Sequence, residues 1–184
     1  MTLKYRYVFV LLAGAVICVA SADDGVSESS RVPNGSLEQI DAERAYPEGW
    51  HVNGEAAVIV DDVVVCDGQR SLQIIFNGSH QDATVYVSVP PVTDVNKSLR
   101  ITAQVRMHEF EGKLFLMAYR YPPPFDRSFR TSPIEGTCEW RTLSMDVPMK
   151  PGMTGIQVRV VAAGTWGRVW FDNVRATVVE AEVE

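Results

Sequence analysis

Leu99, Ile101, Ala103, Val105 and Met107 alternate with Arg100, Thr102, Gln104 and Arg106, the clearest period-two stretch in the chain. Side chains of an extended strand point to opposite faces in turn, so this pattern predicts a strand with one face in a core and one in water. Ala83, Val85, Val87 and Val89 alternate with Thr84, Tyr86 and Ser88 in the same way, and Pro90-Pro91 ends that strand. Residues 113–121 form a nearly continuous apolar and aromatic run, which predicts a central strand with both faces covered or one lining a groove. Further strands are expected at 36–40, 56–65, 71–76 and 140–147, with 155–161 pairing to a final strand over 164–178. Asp67-Gly68 has hairpin chemistry, and the prolines after Tyr121 impose an extended loop. Long helical periods with caps are absent. The spacing predicts an all-β fold, a two-sheet antiparallel β-sandwich.

One pair of residues breaks the final run. Asp172-Asn173 is poor strand material, because both side chains compete for backbone hydrogen bonds. A local bulge or a bound cation is expected there.

The ends of the chain bear on where the protein works. Lys4 and Arg6 precede an apolar stretch from Val8 to Val19, followed by Ala20-Ser21-Ala22, so 1–22 reads as a secretory signal peptide. The apolar stretch is short for a bilayer span, which favours export over a membrane anchor. Taking those 22 residues from the 184 leaves 162, enough for one core. Residues 23–31 read as a disordered leader, 32–179 as the sandwich domain and 180–184 as an acidic tail. Loss of Lys4 and Arg6 moves the formal charge from −6 to −8, which disfavours nucleic acid or an anionic membrane as partner. The expected location is secreted, extracellular or periplasmic. In that compartment the even pair Cys66 and Cys138 is most simply a disulfide, with stabilisation on the order of 3–5 kcal/mol. Asn34, Asn77 and Asn96 each open an Asn-X-Ser sequon.

Catalytic chemistry finds little footing. Glu109 and Glu111 have strand-like spacing, and carboxylate pairs hydrolyse glycosides, but they flank Phe110 beside Gly112, where a solvated turn is expected. His51, His80 and His108 lie near no nucleophile motif. The expectation is a binder, not an enzyme.

Six short pieces occur in a telling order: Asn34-Gly-Ser-Leu-Glu38, Gly49-Trp50, Asp67-Gly-Gln-Arg-Ser-Leu72, Leu99 to Arg106, Glu139-Trp-Arg-Thr-Leu143 and Trp170-Phe-Asp-Asn-Val174. Together they resemble the cellulose- and xylan-binding jelly-roll group of carbohydrate-binding modules, which have a galactose-binding-like fold. The resemblance implies a structural calcium, with Glu38 and Asp172 giving carboxylates and the turn from Asp67 to Ser71 giving carbonyls. The alternative is that Asp172 only hydrogen-bonds that turn.

The resemblance also implies a polysaccharide or glycan partner met by aromatic platforms. Trp50, Tyr86, Tyr119, Tyr121, Phe125 and Trp166 are the ligand-binding candidates, with Arg120 beside them, whereas Trp140 and Trp170 are assigned to the core. Arg100, Arg106, Arg120, Arg127, Arg130, Arg141 and Arg159 crowd the middle of the chain. They either pair with neighbouring acids on outward strand faces or fork the acid groups of an anionic glycan. A structural or protein-interaction sandwich, within a larger extracellular assembly, is the competing function. A glycan hydrolase or lyase is a more distant one.

Overall fold

The architecture is that of a computed structural model describing residues 29–122 and 128–181; the segment 1–22, Phe125 and Arg127 lie outside the described residues. Among the described residues there are nine strands: β1 Ile40–Asp41, β2 Tyr46–Pro47, β3 Trp50–Gly54, β4 Ala57–Asp61, β5 Ser71–Val89, β6 Lys97–Tyr121, β7 Phe129–Arg130, β8 Ile134–Pro148 and β9 Gly155–Glu180. β1 and β2 pair with each other, and the rest form one antiparallel network in the order β3-β5-β9-β6-β7, with β4 on β5 and β8 on β6.

That network makes two layers because its long strands bend. The first layer, β4-β5-β9-β6-β8, uses the first halves of β5 and β6 and the second half of β9. The second, β3-β5-β9-β6-β7, uses the opposite halves. Between the halves the pairing register breaks, from Asn77 to Gln81 in β5 and from His108 to Gly112 in β6. Each of the four long strands carries one left-handed residue along this crease: Gly78, Glu109, Gly136 and Gly167. Such residues bend strands from one sheet into another.

The backbones almost touch at the crease. A Cβ on Gly112 would stand 2.3 Å from the Ala163 carbonyl oxygen, and one on Gly164 would stand 2.6 Å from that of Glu111. Only glycine permits that approach.

The inward phases of both halves fill one core. Leu99, Ile101, Val105 and Phe171 of the first layer join Val85, Ile156, Val158 and Val160 of the second in a single cluster. Trp50, on β3 of the second layer, meets Phe171 of the first with ring centroids 6.0 Å apart. The layers therefore face each other as a sandwich.

Several expectations change. Residues 155–161 do not pair with a final strand; they are its beginning, since β9 runs unbroken from Gly155 to Glu180. The strand expected at 36–40 is a turn, in which Asn34 and Leu37 adopt positive φ and the Asn34 amide group bonds Gln39 and Glu48. The turn drives Leu37 into complete burial. Ser30 and Arg31, placed in the leader, are held by Ala176 of β9. Trp140 is half-buried, not core, beside the register break between Val105 and Met107.

The expected disulfide between Cys66 and Cys138 is not formed. The Cys66 N–H reaches Asp172, whereas Cys138 pairs with Met107, which pairs with Val169. Asp172 thus stands two strands across and three residues along from Cys138, roughly 14 Å, about twice the Cα separation a disulfide tolerates, and Cys66 is held at the Asp172 end.

Candidate functional site

The outward phase of the second layer carries the densest set of polar and aromatic groups. Residues directly opposite in antiparallel strands share a face. The register sets His51 against Tyr86, Tyr86 against Arg159, Arg159 against Met117 and Met117 against Arg130, a rank across five strands. In the next rank stand Ser88, Gln157 and Tyr119.

These side chains touch. The Arg159 guanidinium lies 4.0 Å from the Tyr119 ring centroid and 5.7 Å from that of Tyr86, within cation–π range of both. Arg159 Nε donates to Gln157 Oε1 at 2.6 Å, which orients the plane. His51 stacks on the other partner, its ring 5.2 Å from Tyr86 with 27° between planes. Tyr121 extends the face and is 38% exposed. With Ser88, Pro90 and Gln157 it lines an open recess of about 510 Å³.

The other aromatic candidates go elsewhere. Trp50 is 2% exposed and donates its indole N–H to the Asn34 carbonyl, so it is a core residue and not a sugar platform. Arg120 lies on the inward phase of β6; it is buried over the Phe129 ring and donates to the Pro148 carbonyl, which removes it from any ligand surface. Phe125 lies outside the described residues. Trp166 is 50% exposed but sits at the crease, nine residues along β9 from Gln157, about 30 Å of strand. It lines a separate recess of about 350 Å³ with Asn77, His108, Glu109 and Arg168. Glu109 and Glu111 are exposed at the crease, and Glu111 accepts from the Thr165 hydroxyl. They do not face each other across the aromatic rank.

Trp170 is buried, yet on the outward side of the first layer. Its indole N–H donates to Asp61 at 2.8 Å and Arg106 lies over its ring. Burial raises the Asp61 pKa, but the Trp170 bond and the N–H groups of Val63 and Val64 outweigh it and hold the carboxyl below its ordinary value.

The corner expected to hold calcium is built from hydrogen bonds. Asp172 Oδ2 accepts the N–H groups of Cys66 at 3.1 Å and Asp67 at 3.0 Å. Glu38 Oε1 accepts those of Gln69 at 2.7 Å and Arg70 at 3.0 Å. One loop is thus stapled to both ends of the chain. Asn173 takes positive φ, and the register slips between Thr102 and Gln104 opposite it, so the Asp-Asn pair forms a bulge. Ser71 is turned away, donating its hydroxyl to the Val64 carbonyl.

Among the described residues no three His, Cys, Asp or Glu side chains gather as a metal cluster. Asp172 is nonetheless a fully buried carboxylate. Burial pushes its pKa up and the Asp67 charge adds to the rise, against the three N–H bonds that lower it.

His51, Gln157 and Met117 belong to the aromatic face and were not singled out for it, whereas Arg130 and Arg159 were read only as two of seven arginines that pair with acids or fork an anionic glycan. Alternation through Ile156, Val158 and Val160 puts Gln157 and Arg159 outward, a signal present in the chain. Which strand lies beside them is not.

No protein-family model and no curated protein sequence matches the chain. Solved structures do match, at identities that speak only to fold. The enzymatically active domain of tailspike protein 4 from bacteriophage CBA120 superposes with a TM-score of 0.65 at 11% identity, over 82% of this chain and 21% of that one. This chain therefore spans about a fifth of the tailspike length. TmCBM61, solved with β-1,4-galactotriose, gives a TM-score of 0.63 at 14% identity, over 84% of this chain and 100% of that one. The CBM22-1 xylan-binding domain of Paenibacillus barcinonensis Xyn10C gives 0.58 at 16%, over 80% of this chain and 94% of that one. The fold is the β-sandwich of carbohydrate-binding modules. Because an enzymatically active domain shares it, architecture alone does not separate binding from catalysis.

Proposed function

We propose that this chain is a non-catalytic glycan-binding domain that receives a polysaccharide across the outward face of the second layer. The observation that carries the reading is the pair Tyr86 and Tyr119 on either side of Arg159, on an open face edged by His51, Ser88 and Gln157. Aromatic rings give apolar area to the faces of pyranose rings, and amide, hydroxyl and guanidinium groups bond sugar hydroxyls. Two of the three similar structures carry sugar binding in their names, which supports the reading at the level of fold. No carboxylate stands opposite Tyr86, Arg159 or Met117 in the register, so a hydrolytic acid pair has no place on this rank.

The test is a polysaccharide array with the purified protein and with Tyr86→Ala, Tyr119→Ala and Trp166→Ala. Each tyrosine variant should weaken binding by about tenfold or more, the scale of a residue central to an interface, and Trp166→Ala should not. Silence of the unmodified protein across neutral and acidic polysaccharides removes the reading.

Export through residues 1–22 belongs to the same proposal; N-terminal sequencing of the exported protein should start at Asp23. So does a structural calcium at Glu38 and Asp172, supported by the buried Asp172 carboxylate with Asp67 adding its charge. Calcium should raise the melting temperature and a chelator reverse the rise. An unchanged melting temperature removes the metal and leaves the glycan reading standing.

A further inference from the structure

We infer that the glycan this face takes is anionic, bearing carboxylate or sulfate groups, and that Arg159 is the residue that grips the charge; this rests on the glycan-binding reading above. Arg159 is held the way an anion receptor is held. Two tyrosine rings lie against the guanidinium, and Gln157 takes its Nε hydrogen. Its Nη groups make no hydrogen bond to any described residue. A planar fork fixed at one edge and open at the other matches a carboxylate or sulfate, and fixing it in advance lowers the ordering cost of the contact.

Two arginines of the first layer are answered by acids. Arg100 forms a two-pronged pair with Asp146, at 2.9 and 2.7 Å, and Arg106 lies 3.3 Å from Glu139. The acids there stand on β8, beside the arginines of β6. Across the second layer no acid among the described residues answers Arg159: its opposite residues are Tyr86 and Met117, and beyond Met117 stands Arg130, another cation. Neither Arg159 nor Arg130 forms an ion pair among the described residues. Lys113 follows the same outward phase of β6, opposite Ala163, whose other neighbour Asp82 is the acid at the crease end of the face. A basic strip therefore crosses a protein whose formal charge is −6. Such a local reversal of sign attracts anions against the net charge.

A neutral sugar fits this arrangement poorly. A neutral ligand would desolvate the guanidinium without giving it a charged partner.

The experiment measures binding of the full protein to two matched pairs: polygalacturonate against its methyl ester, and chondroitin sulfate against unsulfated chondroitin. The inference expects the more charged member of at least one pair to bind about tenfold tighter, and expects that advantage to shrink as salt rises. Arg159→Gln should abolish the advantage, and Arg159→Lys, which keeps the charge and loses the fork, should recover only part of it. Arg100→Gln, on the other layer, should leave it unchanged. Equal or tighter binding of the less charged member in both pairs overturns the anionic inference while the glycan reading stands. Binding to none of these polymers and none on the array removes both. Polyglutamate bound as tightly as the acidic glycans overturns the inference, since the face would then read charge without sugar.

Discussion

Replacing Asp172 by alanine tests the corner where the two ends of the chain meet. The carboxylate accepts three backbone N–H groups, two of them from a loop more than a hundred residues earlier, at 3.1 and 3.0 Å. A hydrogen bond to a charged group contributes about 1.5–3 kcal/mol, so losing the two long-range bonds removes about 3–6 kcal/mol. Part of that is offset, because the variant no longer buries a carboxylate, the penalty that pushes the Asp172 pKa up. The net loss should be about 2–4 kcal/mol, which lowers the melting temperature of a domain this size by about 5–15 °C. Urea unfolding followed by tryptophan fluorescence reads it, with Trp50 and Trp170 both buried in the folded state. Asp172→Asn keeps one acceptor oxygen and should lose less. The pH dependence has a definite sign. A carboxyl whose folded pKa is raised adds stability below its unfolded pKa, and that contribution is lost as pH rises through the folded value. The gap between the unaltered protein and Asp172→Ala should therefore widen on acidification through that window. A denaturation midpoint for Asp172→Ala equal to that of the unaltered protein, at equal slope, would refute the staple.

Other positions make separate claims. Gly112→Ala puts a Cβ 2.3 Å from the Ala163 oxygen and should cost about 2 kcal/mol or more in urea unfolding, whereas Gly152→Ala meets nothing within 4 Å and should cost only the left-handed backbone term, about 1 kcal/mol. The Arg100 hydrogen bonds hold the Asp146 carboxyl below its ordinary pKa, so Arg100→Gln should move its NMR titration up. The Asp146 contribution to stability is present above the unfolded carboxylate pKa and is lost as pH falls through the folded one, opposite in sign to Asp172. Cys138 should react with a thiol reagent in the denatured protein under non-reducing conditions.

Alternation along the chain determined most of the fold. Inward phases read at 83–89 and 99–107 are the buried ones, because burial on a strand depends only on the side a residue faces and that side repeats every two residues. The break at Asp172-Asn173 was legible as well, because two side chains that compete for backbone hydrogen bonds interrupt the strand; of the bulge and the bound cation expected there, the bulge is present. What the tertiary structure decided was everything requiring knowledge of a neighbour. Strands that read as separate are continuous through a crease, because Gly112 and Gly164 bring two backbones closer than side chains allow, a contact no local pattern carries. Trp50 and Arg120 read as ligand groups and proved buried, Cys66 and Cys138 read as partners and lie apart, and Arg159 gained its place between Tyr86 and Tyr119 only through pairing. Periodicity belongs to one strand, whereas a binding face belongs to the register among several, and register is set by packing across the whole sandwich.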